Sequence, residues 1–142
     1  MKMSILLIGI IFNSVTFGCP EIQGIYSAEG ATTIFETSNQ DGIFTYIISG
    51  DLFVADAKSH QKTAEGMVMN YSANCHGNKL FFNSTIFQKD KQRVQVGSGV
   101  FSKIDNETVH YDYTVTLYSS TGDIINALPD VHIVFKLQSP PK

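Results

Sequence analysis

The chain is short of charge: 16% of its 142 residues are Asp, Glu, Lys or Arg, against 43% apolar. An average globular chain carries roughly 25% charge, so this composition excludes a solvated coiled coil and, with so much apolar content, a disordered chain. The net charge of −3 removes a general affinity for nucleic acid or acidic membrane surfaces. Four prolines and eleven glycines without a triplet period exclude collagen. No apolar run reaches the about 20 residues that a helix needs to cross a bilayer. Motifs of bond-making chemistry are missing as well. There is no Gly-x-Ser-x-Gly, no His-Glu-x-x-His and no phosphate-binding loop. His60, His76, His110 and His132 lie outside any nucleophile or metal motif, and no second ligand pair at zinc spacing accompanies Cys75-His76. The acids fall mostly in turns, leaving Glu36 and Asp112 as the strand-borne carboxylates that an enzyme would have to use. The chain therefore reads as non-enzymatic, and no cofactor or metal is implied.

What is present begins with a leader. Lys2 precedes the apolar segment Ile5–Phe12, and the small residues Thr16 and Gly18 stand at −3 and −1 of a cut before Cys19. The pattern predicts a cleaved signal peptide over residues 1–18 and an exported product, periplasmic or extracellular, with no membrane span after cleavage. A single domain over residues 19–142 follows, its tail 139–142 (Ser-Pro-Pro-Lys) unable to continue a ladder.

Two cysteines, Cys19 and Cys75, leave two readings open. An even count in an exported chain predicts a disulfide, stabilising by roughly 4 kcal/mol in the loop-entropy model. The alternative is a lipid anchor on Cys19. Thr16 and Phe17 fit a lipoprotein signal poorly, and lipidation would leave Cys75 a lone thiol.

From Gly24 onward, β-rich segments alternate with clusters of Gly, Asn and Asp at Asn39–Gly42, Ser49–Asp51, His76–Asn78, Lys89–Lys91, Asp105–Glu107 and Ser119–Asp123. Val109–Tyr118 and Val131–Gln138 alternate apolar and polar residues, the mark of antiparallel strands with one buried face. The spacing predicts an all-β domain, a single antiparallel barrel or barrel-like sheet of about eight strands. Ala55–Glu65 is polar nearly all round, either a helical turn or two or an ordinary solvated connection.

Cys-Pro-Glu-Ile-Gln-Gly-Ile-Tyr at 19–26 resembles the first strand of the calycin up-and-down barrels, the lipocalin, fatty-acid-binding and avidin families. Their Gly-x-Trp strand, whose ring plugs the closed barrel end, corresponds to Gly24-Ile25-Tyr26. Tyr111-Asp112-Tyr113 is similar to the lipocalin Thr-Asp-Tyr motif. The resemblance also implies a tie between Cys19 and a mid-chain strand at Cys75. With no tryptophan in the chain, the stacked tryptophans of an avidin pocket have no counterpart, and neither have the helices of the other two families. The resemblance bears on architecture alone.

Tyr26, Tyr46, Met67, Met69, Tyr71, Tyr111, Tyr113 and Phe135 are the candidate pocket residues, because buried phenols need partners and methionine lines adaptable pockets. The simpler reading of the same residues is a filled core with Tyr at its rims. The leading expectation is a binding protein for a small, partly apolar ligand; the alternative is an envelope or cell-surface module that binds a protein or glycan through an exposed face. Three Asn-x-Ser/Thr triplets, at Asn70, Asn83 and Asn106, are acceptors if the source glycosylates exported proteins.

Overall fold

A computed structural model describes residues 18–138. The predicted signal segment, apart from Gly18, and the tail 139–142 lie outside the described residues. The remainder forms β1 (Gly24–Ala28), β2 (Ala31–Gln40), β3 (Ile43–Ile48), β4 (Asp51–Ala55), β5 (His60–Ala64), β6 (Met67–His76), β7 (Lys79–Gln88), β8 (Arg93–Asp105), β9 (Thr108–Tyr118) and β10 (Ile124–Leu137). All ten join one antiparallel sheet in the order β4-β3-β2-β1-β10-β9-β8-β7-β6-β5, curled into a half-barrel. The described residues hold no helix, so none is long and apolar enough to cross a membrane.

Ten strands stand where turn spacing predicts about eight. Part of the difference is β5, which occupies the polar segment expected to be a helical turn or a solvated connection. Its residues sit at the end of the sheet order, where neither face is fully covered, so polarity on both faces is compatible with a strand. Most of the turns follow their sequence signals. Asp41-Gly42 and Ser49-Gly50 lie in expected turn clusters, whereas Glu29-Gly30, which joins β1 to β2, lies outside them; all three have positive φ at both positions, as two-residue hairpins with the right-handed sheet twist require.

The core gathers at one end. Tyr26, Phe35, Tyr46, Leu80 and Val109 are almost fully buried there, and the segment before β1 lies across the opening like a strap. Ile22 is fully buried, and the Thr37 hydroxyl accepts from its N–H (2.9 Å) and donates to its C=O (2.7 Å). The Tyr46 hydroxyl donates to the Pro20 carbonyl at 2.6 Å, and Lys103 Nζ to the Glu21 carbonyl at 2.7 Å. Cys19 and Cys75 form a disulfide that fixes the strap to β6. The Tyr26 ring sits in this end, edge-on to Phe35. Gly24 has φ +127° there, and a Cβ would stand 2.7 Å from Leu137 Cδ1.

At the seam, the ends of the sheet meet through a few hydrogen bonds, most of them from side chains, in place of a ladder. The Ala57 N–H donates to the Ala73 carbonyl (2.8 Å). The Val54 N–H donates to the Tyr71 hydroxyl (3.0 Å), and Lys62 Nζ donates to the Leu52 carbonyl (2.7 Å) while lying 4.5 Å from the Phe53 ring centroid. The opposite end of the half-barrel is open. β1 pairs with β10 only at Tyr26–Leu137 and Ser27–Lys136, so the long strands β6–β10 run on past the β1–β2 hairpin toward that open end.

Candidate functional site

Strand alternation turns one residue in two inward, and the hairpin registers bring the inward aromatic residues level. Phe35 from β2, Phe53 from β4, Phe82 from β7, Phe101 from β8, Tyr111 from β9 and Phe135 from β10 line a cavity of about 320 Å³ just inside the open end. Thr33, Ile48, Ser49 and Asp51 complete its wall.

Two stacks form the sides. Phe101 and Tyr111 lie face to face, 4.0 Å apart and 4° from parallel, and Tyr111 stacks on Tyr113 at 4.8 Å. Opposite them, Tyr71 stacks on Phe82 at 5.6 Å, and Phe53 meets both rings edge-on. Phe35 stands edge-on to Phe101 and Phe135. Such offset and edge-to-face contacts are each worth about 0.5–1.5 kcal/mol beyond area burial, so the rings form a mutually braced wall. Gly99 permits it: a Cβ there would stand 2.6 Å from the Tyr111 ring, so only glycine lets that ring lie flat over β8.

The lining offers face and edge contacts to an apolar or aromatic guest, with two hydroxyls (Thr33, Ser49) and one carboxylate (Asp51) for a polar end. Burial, and more weakly the neighbouring Tyr113, push the Tyr111 phenol above its ordinary 10.0, so it stays neutral and can donate. No protein-family model, curated protein or solved structure matches the chain. The site therefore stands on its own geometry.

Of the residues anticipated from the sequence, Tyr111 and Phe135 line the cavity. Tyr71 and Tyr113 support its walls by stacking on lining rings. Tyr26 and Tyr46 are buried in the sealed end, and burial raises both phenol pKa values, with a smaller push from Asp105 at Tyr26. Met67 and Met69 lie at the far end of β6, apart from the lining. Phe35, Phe53 and Phe101 are lining residues that sequence reasoning passed over. Phe101 follows Gly97 and Gly99 on its inward row, so no apolar alternation marks it.

The remaining polar candidates lie elsewhere. Glu36 is exposed on β2 opposite Ile47. Asp112 is exposed on β9, paired with His132 Nδ1 of β10. His60 stacks on Tyr71 and bonds Asp56, and this bond holds the Asp56 carboxyl below its ordinary pKa. Among the described residues, no three His, Cys, Asp or Glu side chains converge as a metal site.

Proposed function

We propose that this protein binds a small, partly apolar ligand in the aromatic mouth of its half-barrel and performs no chemistry on it. One observation carries the reading: six aromatic residues from six strands surround a cavity of about 320 Å³ that opens at one end and is sealed at the other. That volume falls in the range of small-molecule sites, which are mostly apolar with a few polar groups. A ligand with an aromatic or branched apolar body fits the rings, its polar end directed to Thr33, Ser49 and Asp51. The reading includes export, which the Cys19–Cys75 disulfide supports because such bonds persist in oxidising compartments. A distant kinship with the calycin barrels belongs to the same proposal and is supported by the Gly24-x-Tyr26 plug.

Native mass spectrometry of the protein isolated from its host tests the reading. A stoichiometric small-molecule adduct is expected, and Phe53→Ala should weaken its retention at least tenfold while leaving the disulfide intact. A ligand-free protein that also fails to bind a graded panel of aromatic and branched-alkyl amphiphiles would overturn it.

A further inference from the structure

On the opposite face of the sheet, four strands build a second depression, of about 400 Å³. Register explains its form. Phe81, Val100, Asp112 and His132 make one outward row across β7–β10, since Phe81 pairs with Val100, Val100 with Asp112 and Asp112 with His132. Asn83, Ser98 and Thr114 make the next row, and Asp130 closes it. Between the rows, Phe82, Tyr113 and Val131 turn their side chains to the inner face and Gly99 carries none, so the floor is backbone. The register shift in β10 between Leu128 and Val131 bends that strand beside Asp130, as bulges do.

The chemistry of these walls is selective. Two carboxylates, Asp112 and Asp130, face the depression and no Lys or Arg does. Phosphate, sulfate and carboxylate ligands are therefore repelled. Asn83 offers both an amide donor and a carbonyl acceptor, and the Ser98 and Thr114 hydroxyls, 3.1 Å apart, each donate and accept. A bare cation would use only the acceptors and leave these donors idle. His132 bonds one Asp112 oxygen and orients the carboxylate, and the His110 and His132 rings meet edge-to-face at 5.0 Å. Beside this polar array, Phe81 and Val100 present an apolar strip.

Mixed donors and acceptors, a fixed carboxylate and an apolar strip match a pyranose ring, whose hydroxyls both donate and accept and whose C–H face is apolar. We propose that this outward depression is a second binding site, for one or two units of a neutral saccharide. Asp112 accepts from adjacent hydroxyls, Asn83 and Thr114 complete the polar contacts, and Phe81 underlies the ring. The site opens on the other face of the sheet from the aromatic cavity, and Phe82 belongs to the lining of both.

Asn83 opens an Asn-Ser-Thr triplet, so the chain's own glycan is the competing occupant. Saturation-transfer NMR with a panel of neutral mono- and disaccharides, on protein whose intact mass shows no glycan, tests the proposal. Saturable binding is expected at millimolar saccharide or tighter, with at least a tenfold loss in Asp112→Ala and in Ser98→Tyr, which fills the depression. These variants should keep the wild-type circular dichroism and the wild-type binding of the panel of aromatic and branched-alkyl amphiphiles by the aromatic cavity. Absence of saccharide binding, binding of alkyl amines in its place, or a glycan on Asn83 in the host's protein would each overturn the proposal.

Discussion

The Val54 amide finds its acceptor in the hydroxyl of Tyr71, 3.0 Å away across the seam between β4 and β6. A side chain does there what a neighbouring strand does elsewhere in the sheet. Tyr71→Phe keeps the ring stacking on Phe82 but removes the acceptor. A destabilisation of about 1–3 kcal/mol is expected, the cost of an unpaired amide. Hydrogen exchange gives the sharper check: the Val54 amide should exchange at least tenfold faster, with little change at the centre of β8. Unchanged Val54 protection would contradict this account of the seam.

Tyr46 closes the sealed end by donating to Pro20 at 2.6 Å. Burial raises the phenol pKa of Tyr46, Tyr26 and Tyr111 above 10.0. A folded-state pKa above the unfolded value means that stability is complete below about pH 10 and falls as pH rises through the folded values. The urea midpoint should be insensitive to these phenols below about pH 10 and drop above it. Tyr46→Phe should be less stable at neutral pH by about 1–3 kcal/mol, because the Pro20 carbonyl loses its donor. It should also show a shallower alkaline decline.

Gly99 and Gly97 differ in a way that a pair of alanine variants exposes. A Cβ at Gly99 meets the Tyr111 ring at 2.6 Å, whereas the nearest atom to one at Gly97 is the Thr114 carbonyl oxygen at 3.4 Å. Gly99→Ala should cost about 1–3 kcal/mol by overpacking and displace the Tyr111 ring from Phe101. Gly97→Ala should be much milder. Ring-current shifts of Phe101 and Tyr111 report the displacement, and equal effects of the two substitutions would refute the role assigned to Gly99.

Reduction of the Cys19–Cys75 disulfide frees the strap from β6. The double variant Cys19→Ser/Cys75→Ser should lose about 2–4 kcal/mol. Limited proteolysis should then cut near Pro20–Gln23 before it touches β7–β9. A variant as stable as the parent would show that Ile22 and the Thr37 bonds hold the strap unaided.

Much of the fold is legible in the sequence, for local reasons. Apolar alternation announces β9 and the second half of β10, and Asp41-Gly42 and Ser49-Gly50 carry the backbone preference that makes their hairpins. Two stretches escape it. Polar β5 has no buried face to print a pattern, and the first half of β10 exposes Ile124, Ile125 and Leu128 without alternation. The site is half legible. Tyr111 and Phe135 lie on alternating strands, but Phe53 and Phe101 become neighbours of one cavity only through a sheet order that joins distant segments.

The sequence by itself determined the all-β class, most of the turn positions and the opportunity for one disulfide, because each depends on residue type, spacing or cysteine count. Tertiary structure alone decided which tyrosines are walled into the core and which border the cavity. Tyr26, Tyr46 and Tyr111 are chemically alike and sit on similar strands. Their surroundings differ because the strap folds across one end of the half-barrel and the long strands run past the other, and both are long-range contacts that no local pattern encodes.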